Sequence, residues 1–280
     1  MWSQLEAIHA VTYFASESID AARSAGLQGF WMGYFGFRAA PLGSVSAGVV
    51  EAVFANFAPS MVRRSIPDAW TFSSPSDLVR IRARAAGTAL RRVSPSIERN
   101  ASRLVELLEP VIAAATPIGR PLFAANSEVG QSDDPVEQLW QQCTTLREHR
   151  GDGHVAALVA AGIDGCEAHL LAAATRGWES AVFFDNRGWT SHQQDAARQR
   201  LAERDLLDDD GITHHGTMLS ASVEEITDVL AAAPFEQALD EHERSMLLRA
   251  IGPVARSVVD SDTIPFPNPM GLPRRGIVVT

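Results

Sequence analysis

NRGWTSHQQDAARQRLAERDLLDDDGITHH, the run from Asn186 to His215, carries in order the parts of one known unit. A short helix is predicted from Trp178 to Phe184, closing at Asp185-Asn186-Arg187-Gly188. A turn ending in Thr190-Ser191 follows, then an amphipathic helix from His192 to Arg204. Leu206-Leu207 and Ile212 flank Asp208-Asp209-Asp210-Gly211. Asp-Gly between two short apolar runs signals a hairpin, with a return strand over Ile212 to His215. Helix, turn, helix and hairpin make a winged helix-turn-helix.

Outward from that unit the chain is helical by periodicity. One helix is predicted from Pro135 to His149, broken at Arg150-Gly151-Asp152-Gly153 and restarted at His154. Others are predicted around Asp164 to Leu171, Ser222 to Ala233 and Pro234 to Val259. Ile264-Pro265-Phe266-Pro267-Asn268-Pro269-Met270 cannot be helical, because proline lacks the N–H and restricts its predecessor, and is expected to lie extended over the surface. In the first half, Leu5, Ile8, Thr12, Ala15 and Ile19 place a helix over Ser3 to Arg23, and further helices are expected at Val45 to Phe57, Ser76 to Leu90 and Pro95 to Ala115. Arg38-Ala39-Ala40-Pro41-Leu42-Gly43-Ser44 ahead of Val45 to Phe57 parallels Arg187 to Ser191 ahead of the second-half helix. The expected fold is mainly α, with tandem winged-helix modules, short β wings and an extended proline-rich tail. Its divisions are a degenerate winged-helix-like module over 1–115, a linker over 116–134 rich in Pro, Gly, Asn, Ser and Asp, a winged-helix module over 135–262, and a tail over 263–280.

With 280 residues, 46% hydrophobic and 21% charged, the composition is that of a globular chain. No apolar run approaches the ~20 residues that span a bilayer, and the first residues do not form a secretory signal, so a cytoplasmic protein without membrane contact is expected. Cys143 and Cys166 read as two buried thiols. The formal net charge is −10, and with no lysine every fixed cation is an arginine. An acidic chain gains no long-range attraction to phosphate backbones, which weighs against nucleic acid as the main partner.

Three segments carry a resemblance: Phe37 to Gly43 (FRAAPLG), Leu146 to His154 (LREHRGDGH) and Arg187 to Thr190 (RGWT). Through them most of the chain resembles an actinobacterial family of tandem winged-helix proteins, labelled SalK-like or MarR-like. The resemblance implies a winged-helix fold and transfers no settled biochemical role.

For function, the densest polar cluster is Arg147, Glu148, His149, Arg150, Asp152 and His154. Gly-Asp-Gly before a restarting helix would present N–H groups to an anionic moiety, and His149 and His154 have the chemistry of an acid and a base, oriented by Asp152 or Glu148. A charged helix end docking two modules explains the same residues. Gly29 to Phe37 separates large aromatics by glycines. Trp31, Tyr34, Phe35 and Arg38 would border an apolar cavity, since three glycines in a plain core helix cost ~1 kcal/mol each relative to alanine. The expected ligand site therefore combines Trp31, Tyr34, Phe35, Arg38, Arg147, Arg150 and His154, taking a small apolar or amphiphilic molecule between the modules. The alternatives are a MarR-like regulator reading DNA with His192, Gln193, Gln194, Arg198 and Gln199, and a cofactor-free enzyme of specialised metabolism using His149, Asp152, His154 and Glu148. Against the DNA reading stand Asp195, Glu203, Asp205 and the acidic hairpin turn. No spacing matches a metal site, a nucleotide loop or a nucleophile elbow, so no metal and no cofactor are expected. A homodimer is left open.

Overall fold

A computed structural model describes residues 1–179, 181–184, 186–268 and 270–274. The helices run in chain order as α1 (Trp2–Phe14), α2 (Ser16–Ser24), α3 (Gly29–Ala39), α4 (Ala47–Val53), α5 (Pro59–Arg63), α6 (Ala69–Phe72), α7 (Pro75–Val93), α8 (Ala101–Ala114) and α9 (Pro121–Ser127). They continue as α10 (Pro135–Ala160), α11 (Gly165–Arg176), α12 (Ala181–Phe184) and α13 (Ser191–Glu203). After the hairpin β1 (Leu207–Asp208) and β2 (Gly211–Ile212) come α14 (His214–Ala238) and α15 (Glu241–Asp260). The fold is mainly helical, and among the described residues β1 and β2 are its only strands. No single described helix is long and apolar enough to cross a membrane.

Three apolar clusters hold these helices. The first joins α1, α7, α8, α15 and the N-terminal half of α10 through Ile8, Leu90, Leu104, Trp140 and Ile251. The second packs α3, α4, α5 and α9 around Phe35, Phe54, Met61 and Leu122. The third contains the helix-turn-helix: Ala157 and Leu158 of α10, Cys166 and Leu170 of α11, Ala197 and Leu201 of α13, and Val223 of α14.

Local signals explain the third unit. Asp164 caps α11 by accepting from Glu167 N, while Glu167 accepts from Asp164 N, a reciprocal capping box. Thr190 and Gln193 form the same box at α13. The hairpin pairs Leu207 with Ile212 and Asp208 with Gly211. Thr213 then caps α14, so His214 and His215, expected in the return strand, open that helix instead.

Several boundaries differ from expectation for physical reasons. Ala15 is extended (φ −68°, ψ 139°) and divides the expected first helix into α1 and α2. The expected linker contains α9, whose Leu122 and Phe123 are buried. The first half carries no β wing among its residues. α14 runs through Pro234 to Ala238, and the break falls at extended Leu239, where Asp240 caps α15. Of the helix expected over Trp178 to Phe184 only α12 forms, Ser180 and Asp185 lying outside the described residues. The tail is not a surface strand: Ile264, Asn268 and Leu272 are buried, and the Asn268 side chain exchanges hydrogen bonds with the Leu272 backbone. Pro269 and residues 275–280 of that tail lie outside the described residues.

The largest correction concerns α10, which is continuous through Gly151-Asp152-Gly153. No helix N-terminus exists there to receive an anion. A Cβ at either glycine would sit at ordinary contact distance, so no tight contact demands them. A Cβ on Gly153 would lie 3.6 Å from the Arg120 guanidinium, whose Nε donates to the His149 carbonyl at 3.3 Å.

Candidate functional site

α10 leaves the first cluster and enters the third, and a cavity of about 820 Å³ opens along the side it presents between them. α1 contributes Trp2, Glu6 and Tyr13 to the wall. α3 contributes Trp31, Tyr34 and Arg38, and the turn after α4 contributes Phe54 and Phe57. Arg147, Arg150, Gly151 and His154 come from α10, His169 from α11, and Arg187 from the approach to α13. Pro265, Pro267 and Met270 of the tail close the rim.

The walls pair aromatic faces with cations. Trp31, Tyr34, Phe35, Phe54 and Phe57 form a continuous aromatic set, ring centroids 5.0–6.5 Å apart in mostly edge-to-face and tilted pairs. Arg38 grips Glu148 with Nε at 2.8 Å and a terminal nitrogen at 2.9 Å, and donates to the Tyr34 hydroxyl at 3.2 Å. Arg147 bridges Glu6 at 3.1 Å and Glu148 at 2.9 Å. Burial opposes ionisation of Glu148, but Arg38 and Arg147 overcome it and hold the carboxylate well below its usual range. Arg150 joins Glu224 at 3.1 Å and Asp228 at 2.8 Å on α14 and lies over the Trp2 ring. His154 Nδ1 meets the Thr227 hydroxyl at 3.1 Å; burial lowers its pKa, against a raising contribution from Glu224.

Arg187 differs from these. It is 8% exposed, lies over Phe57 at 4.4 Å, and has no carboxylate partner among the described residues. Its Nε is unpaired, and among the described residues its one side-chain hydrogen bond is a long 3.4 Å contact to the carbonyl of neighbouring Asn186. Burial pulls its pKa down; Tyr34 opposes the shift and Arg38 reinforces it.

The cavity wall is also the dock for the helix-turn-helix. The Asn56 carbonyl accepts from His169 Nε2 and from the Trp189 indole, and the Ala58 N–H donates to the Arg187 carbonyl at 2.9 Å. A Cβ on Gly165 would overlap the Ala55 carbonyl oxygen, so α11 starts in direct contact with this turn.

Beyond the dock, α13 exposes His192, Gln193, Arg198 and Gln199. Gln193 is occupied as a cap, Gln194 donates to the Trp189 carbonyl, and Gln199 donates to Glu203. Arg200 is held by Glu167 at 2.8 Å and by Asp164, and Arg204 donates to the Ala161 and Gly162 carbonyls. Arg198 has no carboxylate partner among the described residues.

The helix-turn-helix family matches residues 1–265, nearly the whole chain. The chain belongs to this family. No curated protein and no solved structure matches it.

Within this helix-turn-helix protein, six of the seven residues expected at a ligand site share the cavity: Trp31, Tyr34, Arg38, Arg147, Arg150 and His154. Phe35 does not; it is fully buried against Phe54 and Phe57. The glycines of α3 do not line this cavity, though Gly29 and Gly33 border a smaller one of about 90 Å³ beside Tyr34. A Cβ on Gly33 would lie 3.0 Å from Ala22 Cβ, and one on Gly36 3.2 Å from Leu27, so both admit the neighbouring helix and turn.

The expected acid–base set is split. His154 reaches the cavity, and Glu148 lies behind Arg38 and Arg147. His149 and Asp152 face α9: the His149 ring packs edge-on against Phe123, and Asp152 accepts from Phe123 N at 2.9 Å. Burial raises the Asp152 pKa to about 7 despite that bond, and lowers His149 to about 4. His149, Asp152, His154, Glu167 and His169 form no common metal cluster among the described residues.

The sequence reading passed over Arg187, Phe54, Phe57, Glu6 and Trp2 as cavity residues. Arg187 was read as part of a helix-closing turn, of the parallel between the halves and of the resemblance, and not as a ligand contact. Its one local signal is a lone cation between the apolar Ala181 to Phe184 and Trp189. Glu6 and Trp2, at the far end of the chain, carried none.

Proposed function

We propose that this helix-turn-helix protein binds a small apolar or amphiphilic molecule in the cavity between its two halves, taken as 1–115 and 135–262. The observation that carries the proposal is the cavity itself. At about 820 Å³ it falls within the size range of small-molecule sites, and it combines aromatic walls with a few fixed polar groups. In this reading the chain is a cytoplasmic protein grouped with the actinobacterial SalK-like and MarR-like proteins. Because Phe54 and Phe57 line the cavity while Asn56 and Ala58 hold the segment ahead of α13, an occupant acts on the seat of that helix. Titration with the neutral dye N-phenyl-1-naphthylamine tests this. Saturable binding of one dye per chain is expected, and it is lost in Ala172→Trp, which fills the cavity from α11. Non-saturable binding, or binding untouched by Ala172→Trp, refutes it.

A second reading, a DNA-binding regulator, is favoured by the exposed face of α13 with His192, Arg198 and Gln199. The net charge of −10 and the Asp208-Asp209-Asp210 tip oppose general affinity for phosphate backbones. Binding to random duplex DNA at physiological salt is therefore expected to be weaker than micromolar by fluorescence anisotropy. Sub-micromolar affinity for unselected duplex removes the basis for ranking this reading second. Selection of one duplex from a fragment library, with Arg198→Ala abolishing it, establishes a regulator whose cavity is its effector site.

A further inference from the structure

We propose that the molecule in this cavity is an anion, an aromatic or apolar frame bearing a carboxylate or similar oxyanion, and that Arg187 binds the charged end. The inference rests on the ligand-binding reading above and narrows it to one chemical class. Guanidinium stays protonated in proteins, so an arginine removed from water needs a counter-charge or a full set of acceptors. Arg38, Arg147 and Arg150 face Glu148, Glu6, Glu224 and Asp228, and their charges are answered within the protein. Arg187 is equally withdrawn from solvent and is not answered by any carboxylate among the described residues.

Its position makes the cavity the place from which the answer comes. The side chain lines that space, one guanidinium face is covered by Phe57, and the Arg187 backbone is fixed by the bond from Ala58. Nε is sealed off, so the edge left for the cavity is that of the two terminal nitrogens, which suits a two-oxygen acceptor because a planar guanidinium matches a carboxylate with paired parallel hydrogen bonds. Trp31 and Tyr34 in the same wall offer ring surface for the remainder of the molecule. A neutral apolar occupant would leave the Arg187 charge buried and unpaired, the most costly arrangement of all.

The test compares two dyes with the same ring system: 8-anilinonaphthalene-1-sulfonate, which is anionic, and N-phenyl-1-naphthylamine, which is neutral. Both are titrated into the full-length protein. The anionic dye is expected to bind one per chain at least ten-fold tighter than the neutral one. In Arg187→Met, which keeps the stem over Phe57, affinity for the anionic dye falls at least ten-fold. Affinity for the neutral dye stays within about two-fold, and the ligand-free variant melts no lower than wild type. Equal wild-type affinities for the two dyes overturn the proposal while leaving the cavity reading intact. Failure of both dyes to bind overturns the cavity reading as well. If Arg187→Met does not fold, the wild-type comparison decides alone, supported by melting with naphthalene-1-carboxylate against naphthalene: only the carboxylate is expected to raise the transition, and equal shifts count against the proposal.

Discussion

Trp189 and His169 share one acceptor: the indole N–H at 3.1 Å and the imidazole Nε2 at 2.9 Å both point at the Asn56 carbonyl oxygen. A carbonyl only accepts, so His169 carries its proton on Nε2. Either donor alone keeps the carbonyl satisfied. Trp189→Phe and His169→Leu are therefore each expected to lose about 0.5–1.5 kcal/mol, and the double variant about 1 kcal/mol more than their sum, because the acceptor is then left bare. Urea denaturation of the four proteins measures the coupling, and strict additivity counts against a shared acceptor.

Two glycines separate contact with fixed backbone from contact with a side-chain methyl. Gly165→Ala drives a methyl into the Ala55 carbonyl, backbone that cannot step aside, and is expected to cost more than about 3 kcal/mol. Gly33→Ala meets only the Ala22 methyl at 3.0 Å and also removes a helix-interior glycine. Its stability should stay within about 1 kcal/mol of wild type, with dye affinity unchanged. Thermal melts with a dye titration check both, and a fall in affinity at Gly33→Ala would place that glycine at the cavity after all.

Glu148 answers two arginines at once. Replacing it by glutamine leaves Arg38 and Arg147 with Glu6 as their nearest counter-charge, and breaking a buried ion pair by removing one partner costs roughly 3–5 kcal/mol. A loss of that order is expected for Glu148→Gln in chemical denaturation. The paired change Glu148→Gln with Arg38→Met should recover part of it, since the orphaned cation is removed too.

Acid should destabilise the protein between about pH 6.5 and 4. His149 and His169 are pulled down to about 4 by burial, and His9 lies well below its ordinary value for the same reason. In that window the unfolded chain binds protons that the folded one refuses, so stability falls as pH falls. Asp152, raised to about 7 by burial, acts in the opposite sense, contributing stability at low pH that is lost as pH rises through 7. With His154, also lowered by burial, four histidines outweigh one carboxyl, and each net proton is worth about 1.4 kcal/mol per pH unit. Urea midpoints at pH 7 and pH 5 are expected to show the loss, and His169→Gln should shrink it by about 1–2 kcal/mol. A midpoint that rises on acidification contradicts these assignments.

The sequence made some of this legible. The order of helix, turn and helix, with the Asp-Gly hairpin after them, located the helix-turn-helix because tight turns are written in adjacent residues. The ligand-site residues were legible in part, since aromatics and arginines at Trp31, Tyr34, Arg38, Arg147 and Arg150 announce themselves by composition. What failed was inference from glycine. Gly151 and Gly153 read as a helix break, yet both lie inside α10, and Gly33, read as bordering a cavity, lines a small one of about 90 Å³ while approaching Ala22, a contact no local pattern records. The roles of Arg187 and Glu6 were hidden for a related reason: each is defined by what lies opposite it, and for Glu6 that partner is Arg147, far away in sequence.

α10 belongs to two cores at once, Trp140 and Leu146 in one and Ala157 and Leu158 in the other. The halves are therefore geared together like parts on one axle. A single-residue insertion at Gly151 would advance everything beyond it by about 1.5 Å and turn it by about 100°, swinging His154 off the cavity wall and Leu158 out of its core. Lineages of this chain can lengthen at exposed turns such as the one at Gly130, but the stretch from Leu146 to Leu158 can change only by substitution, never by length.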